Sequence, residues 1–171
     1  MSPLYVFVAL VACERLAELA IAARNTRRLL AAGGVEHGRR HYPLFVLLHA
    51  AWLVAIFLVV SPERPVLWPL VVVYALLIAA RVWVMASLGR RWTTRIVTLP
   101  GAPLVRRGPY RYLRHPNYLV VAAEIAVLPL AFGAWRTALL FSLLNLALLA
   151  YRIRVEDAAL AASALKVDRA R

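Results

Sequence analysis

The stretch VLWPLVVVYALLIAARVWVMASL, Val66–Leu88, carries a single charge, Arg81, in a run long enough to cross a bilayer as a helix. Four further apolar runs accompany it: Leu4–Ala23, Pro43–Val60, Tyr118–Ala134 and Thr137–Tyr151. The chain of 171 residues is 63% hydrophobic, with a mean hydropathy of +0.71, which is more than a water-soluble domain of this length hides in its core. The sequence therefore predicts an all-α integral membrane bundle, a single domain over 1–171 with about five transmembrane helices at 4–23, 43–60, 66–88, 118–134 and 137–151. The last two runs are short, and only Trp135 and Arg136 separate them, which reads as a tight helical hairpin.

The net charge of +13 is distributed unevenly. Arg24, Arg27, Arg28, Arg39 and Arg40 fall between the first and second runs, and Arg90, Arg91, Arg95, Arg106, Arg107, Arg111 and Arg114 between the third and fourth. Arg152, Arg154, Lys166, Arg169 and Arg171 follow the fifth, whereas the alternate connections hold only Arg64 and Arg136. Cytoplasmic loops collect basic residues, so the N-terminus is expected outside and the C-terminus inside. The same loops suit anionic lipid headgroups and make membrane lipids the expected partner. Nucleic acid is not expected, because no basic, aromatic-interleaved surface stands clear of the membrane. Cys13 is the one cysteine, which leaves neither a disulfide framework nor a cysteine metal site. The first run contains Glu14, Arg15 and Glu18 and has no basic segment before it, so a cleaved signal peptide is not expected. Arginine fills nearly every basic position, a usage of GC-rich bacterial genomes, so the membrane is expected to be a bacterial inner membrane.

Helical spacing continues past the first run to Ala32, where Gly33-Gly34 stops it, and Val35–Tyr42 reads as a polar connector. The longest stretch outside the apolar runs is Gly89–His115, broken by Pro100-Gly101, Pro103 and Gly108-Pro109. A loop of that length in a small protein is commonly functional, and Trp92, Tyr110 and Tyr112 among its arginines favour that role. Inside the runs lie Glu14, Arg15, Glu18, His49, Arg81 and Glu124. Each ionisable group at mid-membrane costs about 2.5–3.5 kcal/mol on insertion scales. Two readings account for them: interhelical ion pairs such as Arg81 with a glutamate, or a substrate cavity lined by Glu14, Glu18, His49, Arg81 and Glu124. No two histidines or carboxylates are spaced like a metal site, and no metal is expected.

Gly108-Pro109-Tyr110-Arg111-Tyr112-Leu113-Arg114-His115-Pro116-Asn117-Tyr118 precedes the fourth run, and Arg152-Ile153-Arg154-Val155-Glu156-Asp157 follows the fifth. A short hairpin returns the chain to the face it left, so the two segments should meet at one membrane surface. Together they resemble the isoprenylcysteine carboxyl methyltransferase family, which is itself similar to the phosphatidylethanolamine methyltransferases. In that family a Tyr, an Arg-His-Pro-x-Tyr box, a helical hairpin and an Arg-x-x-x-Glu-Glu element form the S-adenosylmethionine site. The resemblance covers roughly Leu88–Leu160 and implies that Leu104, Val105, Tyr110, His115, Pro116, Asn117, Tyr118, Glu156 and Asp157 bind the cofactor. It also implies catalytic roles for Arg152 and His115. The N-terminal Glu14-Arg15-Leu16-Ala17-Glu18-Leu19, Arg24-Asn25 and Glu36 through His41-Tyr42-Pro43 to His49 resemble a bacterial branch found with polyketide synthases of alkylpyrones and phenolic lipids. That branch implies a lipid hydroxyl as acceptor in place of a prenylcysteine carboxylate. The chain departs from the family at Asp157, where Glu is usual, and it lacks a Phe-Gly-x-x-Tyr tail.

The residue chemistry can be read without the resemblance. Methyl transfer from a sulfonium is an in-line displacement that needs alignment and a desolvated nucleophile. Glu156 suits an amine or ribose hydroxyls, while His115 and the helix N-terminus behind it suit a carboxylate. Tyr110 and Tyr118 offer aromatic faces to an adenine or a cation, and Arg152 can hold an anionic acceptor. A hydroxyl acceptor must also lose a proton, to His115 or a cavity glutamate. The resemblance, with which this chemistry agrees, implies an S-adenosylmethionine-dependent O-methyltransferase of a lipophilic small molecule. The rival readings are an NADPH-dependent membrane reductase of steroid-reductase-like architecture and a non-catalytic scaffold or transporter.

Overall fold

In the computed structural model, which describes residues 2–168 and side chains up to Ser163, five helices follow one another along the chain. They are α1 (Pro3–Ala31), α2 (Tyr42–Val59), α3 (Trp68–Leu88), α4 (Pro116–Ala131) and α5 (Trp135–Asp168). Arg169 and Arg171 of the basic C-terminal end lie outside the described residues, as does the side chain of Lys166. A proline stands in the first two positions of α1, α2, α3 and α4, where its missing N–H leaves no intrahelical bond unmade. At the end of α1, Gly33 takes φ 85° and the Gly34 N–H returns to the Leu29 carbonyl at 2.8 Å, so the paired glycines close the helix.

Among the described residues three stretches are long and apolar enough to cross a membrane, Arg39–Val59, Trp68–Arg91 and Trp135–Ser163, and the protein is an integral membrane protein. α1 has the length but carries Glu14, Arg15 and Glu18, and α4, with 16 residues, rises only about 24 Å. α5 does not end at Tyr151 with the fifth apolar run. Its 34 residues extend about 51 Å, well beyond a hydrocarbon core of about 30 Å. Arg152, Glu156 and Asp157 therefore ride on a continuous helix and not on a connector.

Leu4, Trp52, Ile56, Ile125, Leu128 and Phe132 are packed inside the bundle, while Leu47, Leu58, Leu76 and Leu143 stand on its outer surface. One core contact follows from a proline within α4. Pro129 has no N–H to give the Ile125 carbonyl one turn earlier, and the Trp52 indole N–H donates to that carbonyl instead, at 3.1 Å.

The charges inside the bundle pair with one another. The Arg81 guanidinium donates through Nε to Glu18, through Nη2 to Glu18 Oε2 at 3.0 Å, and through Nη1 to Glu124 Oε2 at 2.9 Å. Arg15 reaches the same two carboxylates at 2.9 and 3.1 Å, and Glu14 lies 3.4 Å from Arg15. The network joins α1, α3 and α4. It realises the ion pairing anticipated for Arg81.

The all-α reading missed one feature. Val35–His37 (β1) and Ile96–Thr98 (β2) form an antiparallel two-stranded ribbon, with Val35 opposite Thr98 and His37 opposite Ile96. It ties the α1–α2 connector to the long α3–α4 loop, and Glu36–Arg95 at 3.1 Å and His37–Thr98 at 2.9 Å reinforce it. Strands of three residues are too short to show the alternation by which a strand is recognised in sequence.

Removing one member of a buried ion network strands the others. Arg81→Leu is expected to destabilise the protein by about 3–5 kcal/mol, as read by denaturant unfolding in detergent micelles. Adding Glu18→Gln and Glu124→Gln to Arg81→Leu should recover part of that loss, because no buried charge is then left unpaired by the missing guanidinium.

Candidate functional site

The loop after α3 is anchored before it reaches α4. Asn25, buried on α1, donates through Nδ2 to the Trp92 carbonyl at 2.8 Å and the Gly89 carbonyl at 3.3 Å. Arg107 Nε donates to the Ser87 carbonyl at 2.6 Å. Gly108, at φ 56°, lies so close to α3 that an added Cβ would strike the Ser87 side chain, so glycine is required there both by conformation and by contact. The chain then makes the short turn Gly108–Arg111 and enters α4 at Pro116, behind His115.

That path sets the start of α4 against α5. The centre of the junction is Arg152, which is 7% exposed. Its Nε donates to the Tyr118 hydroxyl oxygen at 2.8 Å and its Nη2 to the Thr94 carbonyl at 2.8 Å. Its guanidinium carbon lies 5.2 Å from the centre of the Phe45 ring and 5.6 Å from that of Tyr118. Two of five guanidinium N–H groups are engaged this way, and the other three have no hydrogen-bond partner among the described residues. Tyr118 in turn donates its hydroxyl to Glu156. The His115 ring stacks on Tyr118 with centroids 5.4 Å apart, its Nε2 lies 3.2 Å from Asp157, and its Nδ1 lies 3.7 Å from Glu156. Burial first, and then the Glu156 carboxylate, push the Tyr110 phenol well above the usual tyrosine range. Tyr110 is therefore a neutral phenol and not a phenolate.

His115, Tyr118, Arg152, Glu156 and Asp157 thus come together, with Tyr110 close enough to feel Glu156. Pro116 is buried at the first position of α4, and Asn117 Oδ1 beside it is buried without a hydrogen-bond partner among the described residues. Leu104 and Val105 line a cleft of about 400 Å³ with Leu88, Pro103, Arg91, Arg106 and Arg107. None of Tyr110, His115, Tyr118, Glu156 or Asp157 lines that cleft. Of the in-membrane candidates, Glu14, Glu18, Arg81 and Glu124 are tied into the ion network, and His49 Nδ1 donates to the Phe45 carbonyl at 2.8 Å.

Thr94 and Phe45 were not singled out from the sequence, and Asn25 was quoted there only within a resemblance, with no role. Thr94 acts through its backbone carbonyl, which leaves no mark on residue type. Phe45 is one aromatic among many in an apolar run. Asn25 had a legible signal: it lies seven residues after Glu18 on the stripe of α1 that also buries Leu4 and Val11.

The family model of the isoprenylcysteine carboxyl methyltransferases matches residues 69–162, which take in α3, the long loop, α4 and the site-bearing part of α5. The chain belongs to the isoprenylcysteine carboxyl methyltransferase (ICMT) family, a family of membrane methyltransferases that in general use S-adenosylmethionine. It is 36% identical over 160 residues to the uncharacterized protein YpbQ of Bacillus subtilis (strain 168), a match covering 91% of this chain and 95% of that protein. An uncharacterized protein of Haemophilus influenzae is 29% identical over 153 residues, covering 85% of this chain and 88% of its own. No solved structure gives a significant match.

Asn25→Ala removes the donor to two loop carbonyls, at an expected cost of about 1–3 kcal/mol in local anchoring. Trypsin should then cut after Arg90, Arg91 or Arg95 faster than in the wild type, as followed by mass spectrometry of timed digests.

Proposed function

We propose that the protein is an integral membrane S-adenosylmethionine-dependent O-methyltransferase acting on a lipophilic acceptor. The observation that carries the reading is the junction of α4 and α5, where Arg152 and Glu156 converge on the Tyr118 hydroxyl beside the His115–Asp157 pair. Five spans, with the N-terminus outside and the basic loops and C-terminus in the cytoplasm of a bacterium, would place this junction at the inner face of the cytoplasmic membrane. There a water-soluble cofactor arrives from one side and a lipid from the other.

The residues fit such a cofactor in charge and in unmet hydrogen bonding. The carboxylates Glu156 and Asp157 suit an amine, ribose hydroxyls or a sulfonium. Asn117 Oδ1 is a buried acceptor awaiting a donor, and the N-terminus of α4 suits a carboxylate. The stacked His115 and Tyr118 rings and the Tyr110 face offer aromatic surface to an adenine or a cation. When bound, the cofactor supplies an electrophilic methyl group whose transfer needs no acid from the protein.

The chain must then hold the acceptor in line, dry and anionic. Arg152 is buried, fixed from two sides and still has free N–H groups, so it suits an oxyanion held at the membrane interface. The acceptor we favour is the hydroxyl of an alkylpyrone or phenolic lipid; a prenylcysteine-like carboxylate would meet the same arginine. The outward apolar faces of α2 and α3 support entry from the bilayer.

Radiolabelled S-adenosylmethionine is expected to bind the purified protein in micelles where NADPH does not. Glu156→Gln should weaken that binding at least tenfold, about 1.4 kcal/mol. Arg152→Lys should keep cofactor binding and lower methyl transfer to an alkylresorcinol or alkylpyrone by about a hundredfold, since an ammonium cannot reproduce the planar donor array. Cofactor binding unchanged in Glu156→Gln would remove the site assignment.

A further inference from the structure

Of the four histidines, three use the side chain in a polar contact: His37 with Thr98, His49 with the Phe45 carbonyl, and His115 with Asp157. His41 alone has no such partner among the described residues, although it is 7% exposed. The carboxylates of the membrane network and of the junction are paired: Glu14 with Arg15, Glu18 and Glu124 with Arg81, Glu156 with Tyr118, and Asp157 with His115.

The free imidazole is also the one beside Arg152. It ends the turn Arg39–His41, and its ring meets Tyr151 of α5 edge-on at 5.2 Å and Phe45 of α2 at 6.2 Å. Phe45 is the same ring over which the Arg152 guanidinium lies, so imidazole and guanidinium share one aromatic wall. The fold makes room for this histidine. Gly38 stands at φ 61°, and a Cβ there would strike the His41 ring. A neutral imidazole has one nitrogen with a lone pair for a proton, and the His41 ring nitrogens are neither sealed from their surroundings nor tied to another side chain among the described residues.

We propose that His41 is a catalytic base that takes the proton from the acceptor's hydroxyl while Arg152 holds the oxygen. The inference rests on the methyltransferase reading above and names a group that reading leaves open. The acceptor O–H bond breaks with its electron pair staying on oxygen, and the proton forms a new N–H bond on the His41 ring. The oxyanion then lies between imidazolium and guanidinium, and the imidazolium returns its proton to water after the oxygen has been methylated. A carboxylate acceptor arrives already ionised and has no use for this group.

The test needs no methyl donor. A nitrophenol bearing a long alkyl chain is added to the protein in micelles at a pH about one unit below the free probe's own pKa, and the colour of the phenolate is read. Wild-type protein should turn the bound probe yellow, and His41→Gln and His41→Asn should bind it without colour. Methyl transfer to an alkylresorcinol should fall by about 10²–10⁴-fold in the same variants. Full phenolate colour in both variants overturns the proposal, and so does loss of probe binding in both, which would make His41 a structural residue. Failure of the methyltransferase reading shows itself separately, as wild-type protein that neither binds S-adenosylmethionine nor methylates any acceptor offered.

Discussion

The Arg81 guanidinium, held between Glu18 and Glu124, is the contact on which the arrangement of the bundle depends. Lipid offers no hydrophobic drive for one apolar helix to prefer another, so helices in a bilayer are registered by packing and by polar contacts. A charge buried there is tolerated only in a fixed geometry, and this one needs α1, α3 and α4 at matching depths. Once those depths are set, Asn25, seven residues after Glu18 on α1, reaches the loop carbonyls beyond α3. Tyr118, six residues before Glu124, stands about 9 Å nearer the surface on α4. The ion network thus serves the site at a distance, by placing the helix ends that form it.

At that surface Arg152 has a comparable organising part. It touches the start of α4 through Tyr118, the long loop through the Thr94 carbonyl, and α2 through the Phe45 ring. An arginine fixed by three separate segments loses little further freedom when it binds an anion, which is the condition for strong electrostatic stabilisation of a developing charge. The two-stranded ribbon adds a second tie between the loop and the α1–α2 connector that carries His41. Both candidate catalytic groups are therefore positioned by contacts that bring together segments far apart in sequence.

Much of this architecture is legible in the chain's residues. The apolar runs mark the helices because burying or immersing their surface in lipid is the only way to satisfy it. Gly33-Gly34 and the early prolines mark helix ends through backbone conformation, which is local. The pairing of Arg81 with glutamates follows from the expense of an isolated charge in a membrane. The ribbon is not legible, since its strands are three residues long, and neither is the cleft that Leu104 and Val105 line with Leu88 and Arg107. That cleft depends on which way an irregular loop turns its side chains.

A membrane helix bundle, the two candidate site motifs and the family to which they point are all written in the linear chain, because hydrophobic length, helix punctuation and residue chemistry are properties of short stretches. Only folding in three dimensions selects which glutamates hold Arg81, carries α5 past Tyr151 to present Arg152 and Glu156 from a single helix, and sets the His41 ring against Phe45 and Tyr151 beside the arginine. Those outcomes depend on the relative depth and rotation of packed helices. Depth and rotation are settled by many contacts acting together across the bundle, and no single stretch of the chain encodes them.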